Sequence, residues 1–476
     1  MKKIALLPLI GLLSLTAIAQ TPNLTGMWEG KLNVGVTLRL VFHFQKSEDG
    51  GFKGTMDSPD QGAKGIPFSA VTVNQDSVTA EIKSIGGAFR GKFEDDSTLS
   101  GLWIQGGRSF PLVLKPVAKV EALVRPQTPK PPFNYHSEEV HYDNADKSIH
   151  FGGTFTYPNQ GGPFPTALLI TGSGQQDRDE TIFEHKPFAV IADYLTKRGY
   201  AILRVDDRGV GETSAGDLKN ATSADFAKDV EAGLTYLRTR KEVDPTRLGL
   251  IGHSEGGLIE DIVASTDRKI YFLIMLAGPG EKGVDLLADQ ARSILLSTGV
   301  PPTAADAYKP LYISVLHAGL GAADTTAAIQ EAMASYLQWK KVTPDSIQTV
   351  LQLNQEENGR KMVSLIIKEI SIPWFKFFLN TDPALYIRKL HCRVLALNGS
   401  KDVQVVPGPN LAAIRTALTK SKSPEYETRE LPGLNHLFQK CRTCTVQEYG
   451  ALEETFDPSA LKAMGDWLDK NVKKSH

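Results

Sequence analysis

The stretch Leu248-Gly-Leu-Ile-Gly-His-Ser-Glu-Gly-Gly257 decides the fold of this chain. Its apolar start predicts a short buried strand, and Leu258-Ile259 directly after the glycines begin the apolar face of a helix. Between them lies Gly252-His-Ser-Glu-Gly256, a G-x-S-x-G motif whose context is typical of a nucleophilic serine on a sharp turn. Glycine is required beside the serine because a Cβ there would meet the neighbouring strand or helix. We therefore expect Ser254 to be a catalytic nucleophile.

Strands and helices alternate on both sides of this turn. The hydrophobic pattern predicts strands at 167–170, 201–205, 248–251, 271–276, 394–397 and 426–430, and helices at 187–198, 224–239 and after Asp457-Pro458. Such alternation predicts a mostly parallel sheet with helices on both faces. We expect this α/β core to be built in two parts, from residues 136–280 and 386–476.

The two parts are separated by a segment of mostly helical pattern at 281–385. A crossover between parallel strands needs only about a dozen residues. We therefore expect this segment to be a helical insertion that forms a cap over the active site.

The chain before the α/β core has a different pattern. Alternating residues at 36–44 and 77–82, separated by turn-rich breaks, predict an all-β domain over 20–118, with Trp28 and Trp103 as core anchors. The Pro-rich residues 119–135 predict a stiff linker. No acid, base and nucleophile cluster in 20–118, so a packing or binding module is expected there.

Residues 1–19 predict an export signal. Lys2 and Lys3 precede an apolar run, which ends at Ala17-Ile-Ala19 as a signal peptidase site requires. A membrane anchor is the alternative, but the run is short for a span and ends in small residues. We expect a periplasmic or extracellular protein without stable membrane insertion. The sequence carries no signal for an oligomeric state.

Composition narrows the class of protein. The chain has 53 basic and 54 acidic residues, and 41% of its residues are hydrophobic, as in globular proteins. No basic run stands out, so nucleic acid and anionic membranes are not expected partners. Cys441-Arg-Thr-Cys444 has the spacing of a redox or zinc pair, yet no second pair completes a zinc set. We expect a local disulfide or two free thiols, and neither a metal nor an organic cofactor.

A serine hydroxyl needs a base and an acid that orients it, and in this fold they follow the serine in the order acid, histidine. His436 is the candidate base because it lies in the loop after the strand at 426–430. The other histidines after Ser254 are placed in the insertion, before a strand or at the last position: His317, His391 and His476. Asp402 is the candidate acid, a few residues after the strand at 394–397. Asp382 is its rival, although it precedes that strand.

Backbone amides are expected to bind the oxyanion that forms at the reacting carbonyl group. One is the amide of Glu255, directly after the nucleophile. The second should come from Thr171-Gly-Ser-Gly-Gln175, with the Ser173 amide preferred and Gln175 as the alternative. The charged residues 177–180 follow and predict a salt-bridge network or a contact with a polar substrate group. Residues 206–211 predict a glycine-assisted structural turn.

An aromatic cluster lies near the end of the insertion, in Ser371-Ile-Pro-Trp-Phe-Lys-Phe-Phe-Leu379. Such a cluster is most often part of a core. The alternative is that Trp374 or Phe378 lines the substrate pocket and sets the accepted acyl length.

These motifs resemble those of the secreted two-domain bacterial α/β hydrolases, the EstD-type carboxylesterases. The resemblance is carried by residues 252–257, by the Gly-Ser-Gly and Asp-Arg-Asp loop, by the Asn-Gly-Ser-Lys-Asp acid loop and by the Asn-His-Leu-Phe loop around His436. It covers most of 135–470 and is looser before the linker. It implies the α/β-hydrolase fold with a helical cap, preceded by a smaller all-β domain. Cys441 and Cys444 are not typical of the group.

The resemblance also implies a function. The expected reaction is hydrolysis of short- to medium-chain acyl esters, either small molecules or polysaccharide-linked, through an acyl-enzyme. The chain is also similar to prolyl-oligopeptidase and proline-iminopeptidase serine peptidases, so a serine aminopeptidase or acyl-peptide hydrolase is the alternative. Such an enzyme would need acids such as Glu255 or Asp177 and Asp179 to hold the substrate amine. A non-enzymatic glycan-binding protein is a second alternative, which a complete triad disfavours.

Overall fold

The structure, a computed structural model, describes residues 23–34, 37–121 and 123–473. The export signal predicted at 1–19 lies outside the described residues, and so does His476. The chain divides into two compact units. The first ends at Ala122 and the second begins at Leu123, with Asp60–Gly62 grouped in the second.

The first unit is an antiparallel sheet, which confirms the all-β prediction. Its strands are β1 (Gly26–Asn33), β2 (Thr37–Lys46), β3 (Phe52–Ser58), β4 (Ala63–Pro67), β5 (Ala70–Asn74), β6 (Ser77–Ile82), β7 (Gly87–Asp95), β8 (Thr98–Gln105) and β9 (Arg108–Val117). They are ordered β4-β3-β2-β1-β9-β8-β7-β6-β5. Alternate residues of these strands are buried, and Trp28 and Trp103 lie in the resulting core, as predicted.

The second unit is built on a mixed sheet of eight strands. They are β10 (Tyr135–Asp143), β11 (His150–Pro158), β12 (Phe164–Ile170), β13 (Ala201–Val205), β14 (Val243–His253), β15 (Phe272–Leu276), β16 (Arg393–Gly399) and β17 (Tyr426–Leu431). The order is β10-β11-β13-β12-β14-β15-β16-β17. Pairing is parallel from β13 to β17, whereas β10 and β11 are antiparallel additions that the hydrophobic pattern did not predict.

Helices cover both faces of this sheet. They are α1 (Pro187–Lys197), α2 (Ser223–Leu237), α3 (Glu255–Ala264), α4 (Gly283–Ser297), α5 (Pro302–Gly321), α6 (Thr325–Val342), α7 (Asp345–Val350), α8 (Glu356–Ile370), α9 (Pro373–Asn380), α10 (Ala384–Ile387), α11 (Pro407–Leu418) and α12 (Pro458–Asn471). Buried residues of α2, α3 and α11 form one core with the sheet, and those of α1 and α12 form another. No helix among the described residues has the length and apolarity to cross a bilayer.

Helices α4 to α10 all lie between β15 and β16. They pack around a core of their own, which includes Leu311, Tyr336 and Ile367. The insertion therefore has its own hydrophobic interior and does not depend on the sheet for all of its burial.

The start of the second unit is tied to its body by side chains of the Pro-rich segment. Arg125 donates hydrogen bonds to the carbonyls of Phe183, Gly450 and Leu452. Gln127 donates to the carbonyl of Phe456 and accepts from its amide. This part of the segment expected to be a linker is therefore bound to the α/β unit.

Candidate active site

Ser254 occupies the sharp turn between β14 and α3. Its φ of 53° and ψ of −121° lie in a region that non-glycine residues rarely adopt. The amide of Ser254 donates to the carbonyl of Leu276 on the neighbouring strand at 2.8 Å. A Cβ added at Gly252 or at Gly256 would lie 2.2 Å from a backbone oxygen. The strand and the helix therefore approach too closely for any other residue, and they hold the serine in this strained conformation.

His436 and Asp402 form a buried pair. Nδ1 of His436 lies 2.8 Å from Oδ2 of Asp402. The other carboxylate oxygen accepts hydrogen bonds from the amides of Gln404, at 2.7 Å, and Val405, at 2.9 Å. These contacts fix both the carboxylate and the imidazole ring. Because Nδ1 is directed at the carboxylate, Nε2 is the nitrogen available for proton exchange.

The residues considered as rivals lie elsewhere. Asp382 accepts a hydrogen bond from the Ala384 amide at the start of α10 and lines a separate groove with Arg388. His317 is on α5, and His391 is bonded to the carbonyl of Lys389. The structure therefore places Asp402 against His436 and leaves Asp382 outside this site.

A cavity of about 300 Å³, the Ser254 pocket, brings the other predicted site residues together. Besides Ser254, its lining includes His436, Ser173, Glu255, Trp374 and Phe378. Trp374 and Phe378 are contributed by α9, and their rings stack with centroids 6.1 Å apart. Phe378 is also part of the core of α4 to α10, so this residue has both of the roles considered for the aromatic cluster.

The two residues predicted to bind the oxyanion, Ser173 and Glu255, both line the Ser254 pocket. Glu255 is the first residue of α3, so its amide has no acceptor within the helix. On the facing loop, a Cβ added at Gly172 would lie only 3.2 Å from the Cβ of Ser254. The Gly172 amide itself donates to Glu180, which leaves Ser173 as the next amide along the loop. Gln175 lines a second cavity, where its side chain donates to the carbonyl of Arg208.

A buried ion pair that the motifs did not predict lies next to the serine, and both of its residues line the Ser254 pocket. Oε1 of Glu180 is 2.8 Å from Nδ1 of His253 and also accepts the Gly172 amide at 2.8 Å. Nε2 of His253 lies 3.0 Å from the carbonyl oxygen of His436. A carbonyl accepts only, so His253 must donate there, and it donates from both nitrogens when it is protonated. One carboxylate and one imidazole thus connect three loops: those of Gly172, Ser254 and His436.

The protonated form of His253 is supported by its surroundings. Burial alone would lower the pKa of His253, but the negative charge of Glu180 and its hydrogen bond outweigh that effect and raise the pKa. Sequence signals for this pair existed: Glu180 belongs to the charged cluster, and His253 is the first variable position of the motif. Neither signal indicates which charge faces which ring.

The rest of the charged cluster forms the expected salt-bridge network. Arg178 pairs with Asp206, Glu212 and Glu139. Asp179 pairs with Arg204. Residues 206–211 form the glycine-assisted turn that was predicted. Gly211 has a φ of 51°, and a Cβ there would meet the carboxylate of Asp206 at 2.2 Å.

Glu255 connects the nucleophile turn to the aromatic cluster. Its Oε1 accepts hydrogen bonds from Ser223 Oγ and from Trp374 Nε1, both at 2.7 Å. Burial raises the pKa of Glu255, although these hydrogen bonds oppose the shift. The indole of Trp374 is therefore fixed by the residue next to the nucleophile.

The chain is similar in sequence to known hydrolases. The family model described as serine aminopeptidase S33 matches residues 184–302, a range that holds Ser254 but neither Asp402 nor His436. Esterase EstD of Thermotoga maritima is 30% identical over 154 residues, 32% of this chain and 36% of that protein. The putative hydrolase YtaP of Bacillus subtilis is 27% identical over 135 residues, 24% of this chain and 44% of that protein. The chain thus aligns with less than half the length of either relative.

Solved structures of two esterases are similar over most of the chain. The Pyrococcus furiosus esterase Pf2001 has a TM-score of 0.40 and 14% identity, covering 74% of this chain and 99% of that one. Est1E of Butyrivibrio proteoclasticus, solved with ferulic acid, has a TM-score of 0.39 and 15% identity, covering 70% and 100%. The mostly parallel sheet and the serine turn, together with the sequence relatives, identify the α/β-hydrolase fold. On these grounds the chain has this fold and is similar to serine hydrolases and esterases that share it.

Proposed function

We propose that the chain is a serine carboxylesterase that hydrolyses short- to medium-chain acyl esters. The observation that carries the proposal is the convergence on one 300 Å³ pocket of a strained serine and a histidine that is paired with a buried aspartate. This is the arrangement by which a weak nucleophile is activated.

The reaction follows from these positions. Ser254 Oγ forms a bond to the ester carbonyl carbon as its proton passes to Nε2 of His436. The bond between that carbon and the alcohol oxygen then breaks, and His436 returns the proton to the departing alcohol. Water attacks the acyl-enzyme by the same route, giving the acid and the free serine. Asp402 keeps the imidazole in the correct tautomer and stabilises its charged form.

The oxyanion is assigned to the amides of Ser173 and Glu255. Both residues border the Ser254 pocket, and the Glu255 amide lies at a helix N-terminus, where negative charge is stabilised. The Glu180–His253 pair supports this site, because Glu180 holds the Gly172 amide and His253 holds the carbonyl of His436 in place.

Helices α4 to α10 are assigned the role of a cap. Leu286, Leu287 and Gln290 of α4 line the Ser254 pocket together with Trp374 and Phe378 of α9. The insertion therefore supplies one wall of the pocket. We assign the all-β unit a packing or binding role, because every proposed catalytic residue lies in the second unit.

An aminopeptidase is the second candidate, favoured by the description of the matching family model. The carboxylates considered for binding a substrate amine are already engaged. Glu255 accepts from Ser223 and Trp374, Asp177 accepts the amides of Asp179 and Thr181, and Asp179 pairs with Arg204. This favours the esterase.

Export to the periplasm or the cell exterior is part of the proposal. Cys441 and Cys444 are joined by a disulfide, with Cα atoms 4.9 Å apart. Disulfides persist mainly in oxidising compartments, so this bond supports export.

The test of the proposed function is a substrate screen. Purified protein and its Ser254→Ala variant would be assayed on p-nitrophenyl esters from acetate to octanoate and on aminoacyl p-nitroanilides. We expect ester turnover that the Ser254→Ala variant lacks, and little or no anilide turnover. Serine-dependent cleavage of anilides with no cleavage of esters would establish the aminopeptidase instead.

A further inference from the structure

A second cavity, of about 490 Å³, adjoins the Ser254 pocket, and the mechanism above does not use it. Most of its wall is apolar and comes from the sheet, from α2 and α3 and from the loop before α2. The apolar lining includes Tyr142, Phe151, Leu168, Leu218, Phe226 and Ile259. We call this space the apolar cavity. Its volume is in the range that holds small organic ligands.

Two ion pairs neutralise charged side chains at the edge of the apolar cavity. Arg208 is bound by both carboxylate oxygens of Asp229, at 2.5 and 2.8 Å. Asp206 is bound by Arg178 at 2.6 Å. Neither the guanidinium of Arg208 nor the carboxylate of Asp206 is therefore available to attract a charged ligand.

Of the two remaining acidic groups, Glu255 already accepts hydrogen bonds from Ser223 and Trp374, and Asp207 is neutralised as well. Thr171 Oγ1 lies 2.8 Å from both of its oxygens, and the Gln176 amide donates to one of them at 3.0 Å. Burial raises the pKa of Asp207 to about 8, so the group is mostly uncharged at pH 7. The cavity therefore suits an uncharged, apolar ligand.

The two cavities share part of their lining on one side of the nucleophile. Gly172, Ser173, Glu255 and Trp374 line both of them. His436, by contrast, lines the Ser254 pocket and is not part of the apolar cavity. The shared lining thus lies on the side of the oxyanion amides.

This placement distinguishes the two halves of an ester. The alcohol oxygen must reach His436 to receive its proton, so the alcohol half belongs in the Ser254 pocket on the His436 side. The carbonyl oxygen must point to the amides of Ser173 and Glu255. The acyl substituent must therefore extend towards the residues that line both cavities. This direction leads into the apolar cavity.

We propose that the apolar cavity binds the distal part of the acyl chain of the ester substrate, which enters beside the four residues that line both cavities. The inference rests on the proposed esterase function and adds to it the acyl-binding site. Ser254 is not part of the cavity lining, so the first carbons of the chain stay in the Ser254 pocket. Only longer acyl groups reach the cavity, and each methylene buried there should raise kcat/KM by about fourfold.

The first test fills the cavity. Ala221 is buried, lines the cavity and precedes the N-cap of α2, so Ala221→Phe places a ring inside. We expect the ratio of kcat/KM for p-nitrophenyl octanoate to that for the acetate to fall by about 60-fold or more, the effect of three or more excluded methylenes. The matched control is Ala412→Phe, which adds the same ring at an exposed position of α11 and should leave the ratio unchanged. An unchanged ratio in folded Ala221→Phe would overturn the proposal.

A second variant covers the case in which Ala221→Phe does not fold. Phe226→Ala enlarges the cavity by removing a partly buried ring. We expect the preferred acyl chain to become longer. A folded Phe226→Ala variant with the parental chain-length profile would contradict the proposal.

A binding measurement separates this proposal from the proposed function. Octanoate and 8-aminooctanoate would be titrated calorimetrically into Ser254→Ala and into Ser254→Ala with Ala221→Phe. We expect octanoate to bind the former at least about tenfold more tightly than the latter, consistent with the loss of two buried methylenes. If octanoate binds in this way but no ester is turned over, the esterase assignment fails and the cavity stands. Tighter binding of the amine would overturn the apolar assignment.

Discussion

The carboxylate of Glu180 lies 2.8 Å from Nδ1 of His253, and the side chains of these two residues are 4% and 8% exposed. This contact joins residues 73 positions apart, and both of them line the Ser254 pocket. His253 cannot donate from both nitrogens without a positive charge, and Glu180 supplies the opposite charge. The pair is therefore a support for the active site whose strength depends on protonation.

Glu180→Gln tests this support. The variant keeps an oxygen for the Gly172 amide but loses the charge that holds His253 protonated, so His253 can donate only one hydrogen bond. We expect kcat on a short ester to fall by about tenfold or more while KM changes little, as for a group that orients the reacting loops. Glu184→Gln, an exposed neighbour in sequence, is the control. A loss confined to KM would contradict a positioning role.

The stability of the same variant should depend on pH. The folded-state pKa of His253 is raised, so its pairing contributes stability that is present below the unfolded-state pKa of about 6.5 and is lost as pH rises through the folded-state pKa. The difference in Tm between parent and Glu180→Gln should be largest near pH 6 and become smaller towards pH 9. Thermal unfolding followed by circular dichroism measures it. A difference that grows with pH would show that His253 is not the titrating partner.

Ser254→Ala and His436→Ala should each remove nearly all turnover while the fold persists. In a well-studied serine protease the corresponding single losses reduce kcat by about 10⁶-fold, nearly as much as removing the whole triad. The double variant should therefore be no worse than either single one. Rates on p-nitrophenyl butyrate with matched circular dichroism spectra would check this, and activity within tenfold of the parent in Ser254→Ala would place the nucleophile elsewhere.

Asp402→Asn should be less damaging than either of those changes but far more damaging than Asp382→Asn. The introduced amide would still fill the space of the carboxylate but would favour the wrong imidazole tautomer, at a cost of about 10⁴-fold in kcat. Asp382 only accepts the Ala384 amide at the start of α10, outside the site, so its variant should keep near-parental kcat and lose only a little stability. Steady-state rates of the two variants, measured side by side, decide between them.

Asp261 offers a test that does not involve catalysis. Its side chain is fully buried on α3, and its oxygens have no hydrogen-bond partner among the residues that the structure describes. Burial therefore raises the pKa of Asp261 well above its usual value. The unfolded chain ionises this group above about pH 4, whereas the folded chain keeps it protonated, so the parent loses stability as pH rises.

Asp261→Asn removes that pH dependence. The stability of the variant relative to the parent should rise with pH from 4 to 8 by up to about 1.4 kcal/mol per pH unit. Asp217→Asn at an exposed position should show no such slope. Urea unfolding at several pH values measures both, and a flat difference for Asp261→Asn would mean that the folded protein ionises the carboxyl.

A fragment starting at Leu123 should fold and hydrolyse small esters, because every proposed catalytic residue and both residues that tie down the segment, Arg125 and Gln127, are retained. A fragment starting at residue 128 should be less stable, since it loses both of these side chains. Comparing Tm and kcat of the two fragments tests the assignment. A folded fragment from Leu123 that is inactive on all small esters would show that the first unit contributes to the site.

Features that depend on local geometry could be read from the sequence. The serine turn was predictable because its glycines, strand and helix are contiguous. The strand ends that carry His436 and Asp402 were predictable because the chain order of the fold places them together. The all-β pattern of the first unit was equally clear from its alternation.

Features that depend on distant packing could not be read. Gly152 and Gly153 lie inside β11, where a Cβ would meet Glu212 at 2.4 Å or the backbone of Arg204 at 2.6 Å, and the need for glycine there comes from these distant residues. The contact of Glu180 with His253 could not be predicted from the sequence for the same reason. The four adjacent charged residues do not show which of them faces the sheet.

The two variable positions of the G-x-S-x-G motif carry a consequence for the history of this protein. His253 is bound to Glu180, and Glu255 is bound to Trp374, so neither position is free to drift alone. Each substitution at the turn leaves a buried partner unsatisfied unless the partner changes as well. Relatives that replace His253 should also have replaced Glu180, and those that replace Glu255 should have a different residue at the position of Trp374. Within this lineage, the motif should therefore evolve as two linked pairs.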